Sequence, residues 1–153
     1  MSTDLNELYQ EVILDHNRRP RNFRVLEEGK RAEGFNPLCG DRLTVYLRVK
    51  DDVITDVSFQ GSGCAISKAS ASLMTESIKG KSLADATALF ERFQHMITAP
   101  HDSPAESMGK LTALAGVRQF PVRVKCASLA WHTFKAAVDR QTQATTETAG
   151  EGL

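Results

Sequence analysis

The chain has 153 residues, 41% of them hydrophobic, and its 19 basic and 19 acidic side chains give a formal net charge of zero. This length suits one domain with a sizeable core. The charge balance argues against a nucleic-acid binder, because such domains usually carry a basic excess. No apolar run approaches the roughly 20 residues of a membrane helix. The start has no basic segment followed by an apolar one, so we predict a cytoplasmic protein without membrane or nucleic-acid partners.

The first half of the chain predicts one helix followed by strands. Apolar residues at helical spacing predict an amphipathic helix over residues 4–17. Strict alternation of apolar and polar residues predicts strands over 43–50 and 53–59, joined as a hairpin by an Asp-Asp turn. A further short strand is predicted around 32–35.

The stretch between the first helix and the strands, residues 18–24, is basic and turn-rich. It reads either as a solvated loop or as a surface that docks an acidic partner. Its composition does not choose between these two interpretations.

The second half predicts helices. One follows Cys64 and ends at Gly80, and a second begins with the capping residue Ser82. A short helix is predicted to begin near Ser103 and to end at Gly116, followed by a connection over 117–122.

A final helix is predicted over residues 124–140. Residues 141–153 are polar and lack periodicity, so we predict a disordered tail. We therefore expect one domain over residues 1–140, an α+β fold in which helices pack on a three-stranded antiparallel sheet.

All three cysteines lie at predicted junctions between elements. Cys39 lies in a Pro/Gly turn, Cys64 between a strand and a helix, and Cys126 in the predicted first turn of the last helix. The two helix N-termini should favour the thiolate and lower the pKa of Cys64 and Cys126. Asp41 follows Cys39 by two residues. An odd cysteine count in a protein predicted to be cytoplasmic argues against a disulfide framework.

Two kinds of site are compatible with these four residues if they converge. Three thiolates and a carboxylate suit tetrahedral zinc, and they also suit an iron–sulfur cluster. Spacing alone does not choose between them. The alternative for any single cysteine is a small buried hydrophobic residue, and for Asp41 a turn or cap residue.

The three cysteine-containing stretches resemble the motifs of the IscU/NifU N-terminal family. They are residues 36–41 (NPLCGD), 61–72 (GSGCAISKASAS) and 123–131 (RVKCASLAW), and the opening 8–16 (LYQEVILDH) is similar too. Scaffold members usually have a histidine where this chain has Lys125, and they lack the extra residues found here over about 100–121. Both departures favour the SufU branch of the family.

This resemblance implies a role in iron–sulfur cluster assembly. Members of the branch bind Zn²⁺ through the residues matching Cys39, Asp41, Cys64 and Cys126. They accept sulfur from a SufS-type, PLP-dependent cysteine desulfurase and act with downstream iron–sulfur assembly proteins. A histidine of the desulfurase displaces a zinc-bound cysteine, and the thiolate matching Cys39 takes the persulfide sulfur.

Arg123 and Lys125 are candidates for holding the anionic site or guiding the persulfide, with solvated charges at a helix start as the alternative. The four histidines share no motif with a cysteine, and we interpret them as surface or packing residues: His16, His95, His101 and His132.

The leading prediction is thus a zinc-dependent sulfurtransferase. One alternative is an IscU-like scaffold on which a [2Fe–2S] cluster is assembled and transferred. Another is a purely structural zinc domain.

Overall fold

The computed structural model describes residues 2–100, 102–104, 107–140 and 143–146. A helix opens this part of the chain, strands follow, and helices then dominate, as predicted for an α+β fold. The elements in chain order are α1 (Ser2–Arg18), β1 (Lys30–Asn36), β2 (Asp41–Lys50), β3 (Val53–Ser62), α2 (Ala65–Ile78), α3 (Leu83–Thr98), a 3₁₀ helix (Gly109–Gln119), α4 (Pro121–Val138) and β4 (Gln143–Thr145).

The sheet differs from the prediction in strand number and direction. Its order is β3-β2-β1-β4, with β1, β2 and β3 antiparallel and β4 parallel to β1. The three predicted strands are present, but a fourth, Gln143–Thr145, comes from the segment predicted to be disordered. A stretch of three residues has no hydrophobic alternation to detect, and only the free edge of β1 makes it a strand. Residues 141–142 and 147–153 lie outside the described residues.

The β2–β3 hairpin confirms the predicted turn. Lys50 pairs with Val53, which leaves Asp51 and Asp52 as a two-residue loop, and both have positive φ, 53° and 63°. This conformation matches the right-handed twist of the two strands, and aspartate tolerates it better than most side chains.

The core lies between the sheet and the helices α2 and α4. Trp131 of α4 is fully buried and stacks on Phe93 of α3 with ring centroids 4.4 Å apart. Its indole Nε1 donates to Ser70 Oγ at 3.2 Å, and that hydroxyl donates to the carbonyl of Ala127 at 2.5 Å. The buried serines and alanines of α2 therefore bring α4 close, as the small residues of this helix predicted.

The segment before Cys126 departs from the prediction in two ways. The apolar residues after Met108 form the 3₁₀ helix, which continues past Gly116 to Gln119. The last helix begins at Pro121, whereas the sequence predicted a connection there. Proline suits the first position of a helix because its missing N–H would have no partner there in any case. Residues 105 and 106, which follow the predicted helix start at Ser103, lie outside the described residues.

The N-terminal helix is attached to α2 through a buried histidine. His16, which is 1% exposed, lies with Nδ1 2.7 Å from Ser72 Oγ. In the basic stretch that follows, Arg21 pairs with Asp15 and Arg24 with Asp56, both at 2.7 Å. These two arginines are therefore engaged within the chain, which favours the loop interpretation for them. Of the helices described, none combines the length and apolarity needed to cross a bilayer.

Candidate metal centre

The loop between β1 and β2 presents the first thiol. Asn36, the last residue of β1, pairs with Asp41, the first residue of β2, so residues 37–40 form a short loop. Gly40 closes it with φ at 75°, and its N–H donates to the Asn36 carbonyl at 2.8 Å. Glycine adopts this left-handed conformation without steric cost. Cys39 lies in this loop and is exposed.

The second thiol begins α2 directly after β3. Cys64 is the N-cap residue, and its Sγ accepts a hydrogen bond from the backbone N–H of Ser67 at 3.4 Å. Its own backbone N–H donates to Asp41 Oδ1 at 2.8 Å. This hydrogen bond joins the start of α2 to the start of β2. Cys64 lies between β3 and α2, as predicted.

The third thiol lies beneath the loop. Cys126 is 1% exposed and occupies the second turn of α4, because the helix begins at Pro121. The prediction of a first-turn position was therefore wrong. Its Sγ lies 3.3 Å from Cys39 Sγ and 3.5 Å from Asn36 Nδ2. The buried thiol of Cys126 is thus in contact with the exposed thiol of Cys39.

Three of the four predicted ligands, Cys39, Asp41 and Cys126, come together in one group, and the fourth, Cys64, lies beside Asp41 but outside that group. Donor atoms of Cys39, Asp41 and Cys126 all lie within 4.8 Å of one another, and Cys64 Sγ lies 4.0 Å from Asp41 Oδ2. Thiolates bound to one tetrahedral zinc ion at about 2.3 Å would be about 3.8 Å apart. No histidine belongs to the group of converging donors found among the described residues, and His101 lies outside those residues.

The two inner thiols have opposite pKa shifts. The pKa of Cys64 is lowered to about 7, chiefly because the Cys126 thiol donates a hydrogen bond to it, with help from the backbone N–H groups of Ser67 and Ile66 against the effect of burial. The pKa of Cys126 is raised, first by this same proton donation to Cys64 and then by burial. The expected lowering is therefore confirmed for Cys64 and wrong for Cys126. The helix dipole stabilises a thiolate mainly in the first turn, so it lowers the pKa little at the second-turn position of Cys126.

The buried carboxylate fits a bound cation. Asp41 is fully buried, and the groups that donate to its oxygens are neutral: the Asn36 amide at 3.1 Å and the Cys64 backbone N–H at 2.8 Å. A buried carboxylate next to thiols is costly without compensation of its charge. A soft divalent ion such as Zn²⁺ suits this donor set and would offset that cost.

Two residues that sequence reasoning did not single out lie at the site. Asn36 donates to both Asp41 and Cys126, and Tyr9 of α1 is close enough to Cys64 and Cys126 for them to affect its pKa. The pKa of Tyr9 is raised, first by burial and also by Cys64 and Cys126, whereas Arg123 acts in the opposite direction. Both residues stand in stretches that carry the family resemblance, which was the available signal for them.

The two basic candidates lie on α4 just before Cys126. The Arg123 guanidinium carbon is 5.7 Å from the centre of the Phe120 ring, and the positive charge of Arg123 acts to lower the pKa of Tyr9. Lys125 is half-buried, and Ser128 Oγ donates to its carbonyl at 3.2 Å. A role for either charge in sulfur transfer stays a prediction.

A small α+β domain that gathers three thiols and a buried carboxylate near the β1–β2 loop has the donor set typical of a thiolate-rich metal site. The chain belongs to the NifU-like N-terminal domain family, whose pattern matches residues 8–127.

Curated relatives agree with this assignment, and a solved structure shares the fold. The chain is 38% identical over 140 residues to the zinc-dependent sulfurtransferase SufU of Bacillus subtilis, covering 92% of this chain and 95% of that protein. It is 39% identical over 140 residues to the iron–sulfur cluster assembly scaffold protein IscU of Streptococcus pyogenes, covering 92% and 88%. A crystal structure of a hypothetical protein matches with a TM-score of 0.80 at 40% identity, covering 88% of this chain and 99% of that chain.

Proposed function

We propose that this protein is a zinc-dependent sulfurtransferase of iron–sulfur cluster assembly. It accepts sulfur from a persulfide carried by a PLP-dependent cysteine desulfurase of the SufS type and passes it to downstream assembly proteins. Cys39, Asp41, Cys64 and Cys126 hold the zinc ion, and Cys39 is the sulfur acceptor.

The observation that carries this proposal is the exposure of Cys39 within an otherwise buried donor set. Cys126 and Asp41 are buried, and Cys64 is half-buried, whereas Cys39 is exposed in a loop. Its neighbour Leu38 is 53% exposed, so the loop offers both an apolar contact and a thiol to a partner. An accessible thiol is what a donor protein must reach.

The transfer step is a sulfur exchange. The Cys39 thiolate attacks the outer sulfur of the desulfurase persulfide, and the bond between the two persulfide sulfurs breaks. The electron pair leaves with the desulfurase cysteine as a thiolate, and Cys39 becomes the persulfide. Zinc bound at this site would keep its ligand thiols deprotonated at neutral pH.

The protein's own groups have two further tasks in this step. Asn36 and the Cys64 backbone N–H hold the Asp41 carboxylate in place beside the thiols. Arg123 lies three residues before Cys126 on α4, and its positive charge would attract an anionic persulfide. The relative from Bacillus subtilis, named a zinc-dependent sulfurtransferase, supports the same chemistry.

A sulfur-labelling experiment tests the proposal. The zinc-loaded protein is incubated with a SufS-type desulfurase and cysteine carrying radioactive sulfur, and label on the protein and alanine release are measured. We expect label on the wild type and faster alanine release, and neither with Cys39→Ser. Zinc content and circular dichroism of the variant control for loss of the site or the fold. Label that persists on Cys39→Ser would overturn the assignment of Cys39.

The second candidate function is a scaffold for a [2Fe–2S] cluster. The same donors suit such a cluster, and the Streptococcus pyogenes relative is named a scaffold protein. Anaerobic incubation of the purified protein with ferrous iron and sulfide decides between the two. Zinc that stays bound in stoichiometric amount supports the sulfurtransferase, whereas its replacement by a cluster with [2Fe–2S] absorption supports the scaffold.

A further inference from the structure

The side-chain amide of Asn36 uses its full hydrogen-bonding capacity. Its Nδ2 donates to Asp41 Oδ2 at 3.1 Å and to Cys126 Sγ at 3.5 Å. Its Oδ1 accepts from the Leu38 backbone N–H at 3.2 Å and from the Thr146 hydroxyl at 3.0 Å. An amide group has two N–H donors and two acceptor lone pairs, so all four positions are filled. The residue itself is fully buried.

This arrangement gives the amide one orientation. If the amide were flipped, its oxygen would face the carboxylate of Asp41 and its NH₂ group would face the N–H of Leu38. Both contacts would be repulsive. The two groups that donate to Oδ1 therefore determine that Nδ2 points at two of the four proposed ligands. Partners of this kind orient metal ligands and tune the affinity of a site.

One of the two donors to Asn36 comes from the far end of the chain. Thr146 lies 110 residues after Asn36 and is carried there by β4, whose Thr145 pairs with Phe35 of β1. The Thr146 backbone N–H also donates to the Phe35 carbonyl at 3.2 Å. The parallel pairing of β4 with β1 thus places the Thr146 hydroxyl at the end of β1, where the site begins.

We propose that β4 is a positioning element of the metal centre, and that Thr146 acts through Asn36 to hold Asp41 and Cys126 in their binding arrangement. The inference rests on the proposed zinc site and extends it to a segment that the cysteine motifs do not include. Thr146 is a positioning residue, because it contacts the Asn36 amide and no ligand atom is assigned to it.

The test compares three substitutions in the full-length protein. Thr146→Val removes the hydroxyl and keeps the shape of the side chain, whereas Thr146→Ser keeps the hydroxyl. Thr55→Val is the matched control, because Thr55 Oγ1 also donates a 3.0 Å hydrogen bond, here to the Arg48 carbonyl on the exposed side of the β2–β3 hairpin. Zinc affinity is measured by competition with a chromophoric chelator. Exchange of the Asn36 side-chain amide protons is measured by NMR on the metal-free protein.

We expect Thr146→Val to weaken zinc binding about fivefold and to accelerate Asn36 amide exchange by a similar factor, as the loss of one neutral hydrogen bond predicts. Thr146→Ser should restore both values, and Thr55→Val should leave both unchanged. Unchanged affinity and exchange in Thr146→Val would overturn the inference while zinc binding by the wild type leaves the proposed function standing. If the wild type binds no zinc, the proposed function fails, and the exchange measurement alone decides whether Thr146 holds Asn36.

Discussion

Gly63 lies directly against the carboxylate of Asp41. A Cβ built on Gly63 would be 2.6 Å from Asp41 Oδ1 and 3.0 Å from Ser67 Oγ. The first of these distances is shorter than two such atoms tolerate, so any side chain at position 63 must displace the carboxylate. The glycine before Cys64 therefore leaves the space in which Asp41 can accept from the Cys64 N–H.

Gly63→Ala should consequently weaken zinc binding. Loss of a partner that orients a ligand typically costs about 10- to 100-fold in metal affinity, and displacing the proposed ligand Asp41 should cost at least as much in chelator competition. Gly34→Ala is the matched control, because its Cβ would meet Thr133 and Leu129 of α4 and not a proposed ligand. That variant should melt at a lower temperature with nearly unchanged zinc affinity. Equal affinities for Gly63→Ala and the wild type would contradict the role of Gly63.

Ser70→Ala should destabilise the domain. The change removes the acceptor of the buried Trp131 indole N–H and a donor to the Ala127 carbonyl. An unsatisfied buried polar group costs about 1–3 kcal/mol, and urea unfolding should show a decrease of that size in the free energy of unfolding. Ser77→Ala in the same helix removes only a local bond to the Leu73 carbonyl and should cost less than about 0.5 kcal/mol. Similar losses in both variants would argue against the bridging role of Ser70.

Stability should fall as the pH falls through the histidine range. Burial lowers the pKa of His16 in the folded protein, with Arg21 acting in the same direction and Glu76 against it. The unfolded chain, with a histidine pKa of about 6.5, then binds the proton first, so stability is full above that pH and is lost as the pH falls towards the folded value. Urea unfolding at a series of pH values between about 5 and 8 measures this dependence.

His16→Asn should flatten this pH profile, because it removes the titrating ring while placing an amide near the position of Nδ1. The control is the same substitution at an exposed position of α3, His95→Asn, and the contribution of His16 is the difference between the two profiles. His132, whose pKa is also lowered by burial, should supply the dependence that remains. A His16→Asn profile as steep as that of the wild type would exclude His16 as a principal source.

Removal of the metal should leave the protein folded. The core is built from apolar side chains of the sheet and the helices, and of the four proposed ligands it includes only Cys126, with Cys64 packed against it. After chelation we expect unchanged far-UV circular dichroism and cooperative melting at a lower temperature. Added zinc should raise the melting temperature as its concentration increases. At a free zinc concentration one hundred times Kd, the free energy of unfolding should increase by about 2.7 kcal/mol. Loss of secondary structure on chelation would instead favour a purely structural zinc domain.

Much of the fold could be predicted because its signals are local. The β2–β3 hairpin is predicted by the alternation of apolar and polar residues on both sides of Asp51 and Asp52. The helix α3 is predicted by its apolar stripe and by its cap Ser82, whose side chain accepts from the Asp85 N–H at 3.0 Å. The start of α4 was missed because Pro121 fits both a connection and a first helical position. The strand β4 was missed because its three residues, Gln143–Thr145, are too few to show a pattern and become a strand only beside β1.

The sequence by itself determined the chemistry available to this protein: three thiols and a carboxylate at junctions of elements, in stretches that resemble one family. The tertiary structure decided how that chemistry is distributed. It exposes Cys39, buries Cys126, and lets one thiol donate to another, which lowers the pKa of Cys64 and raises that of Cys126. It also brings Thr146 to Asn36. Burial and hydrogen bonding depend on atoms that are distant in the chain and adjacent only after folding, so no local pattern reports them.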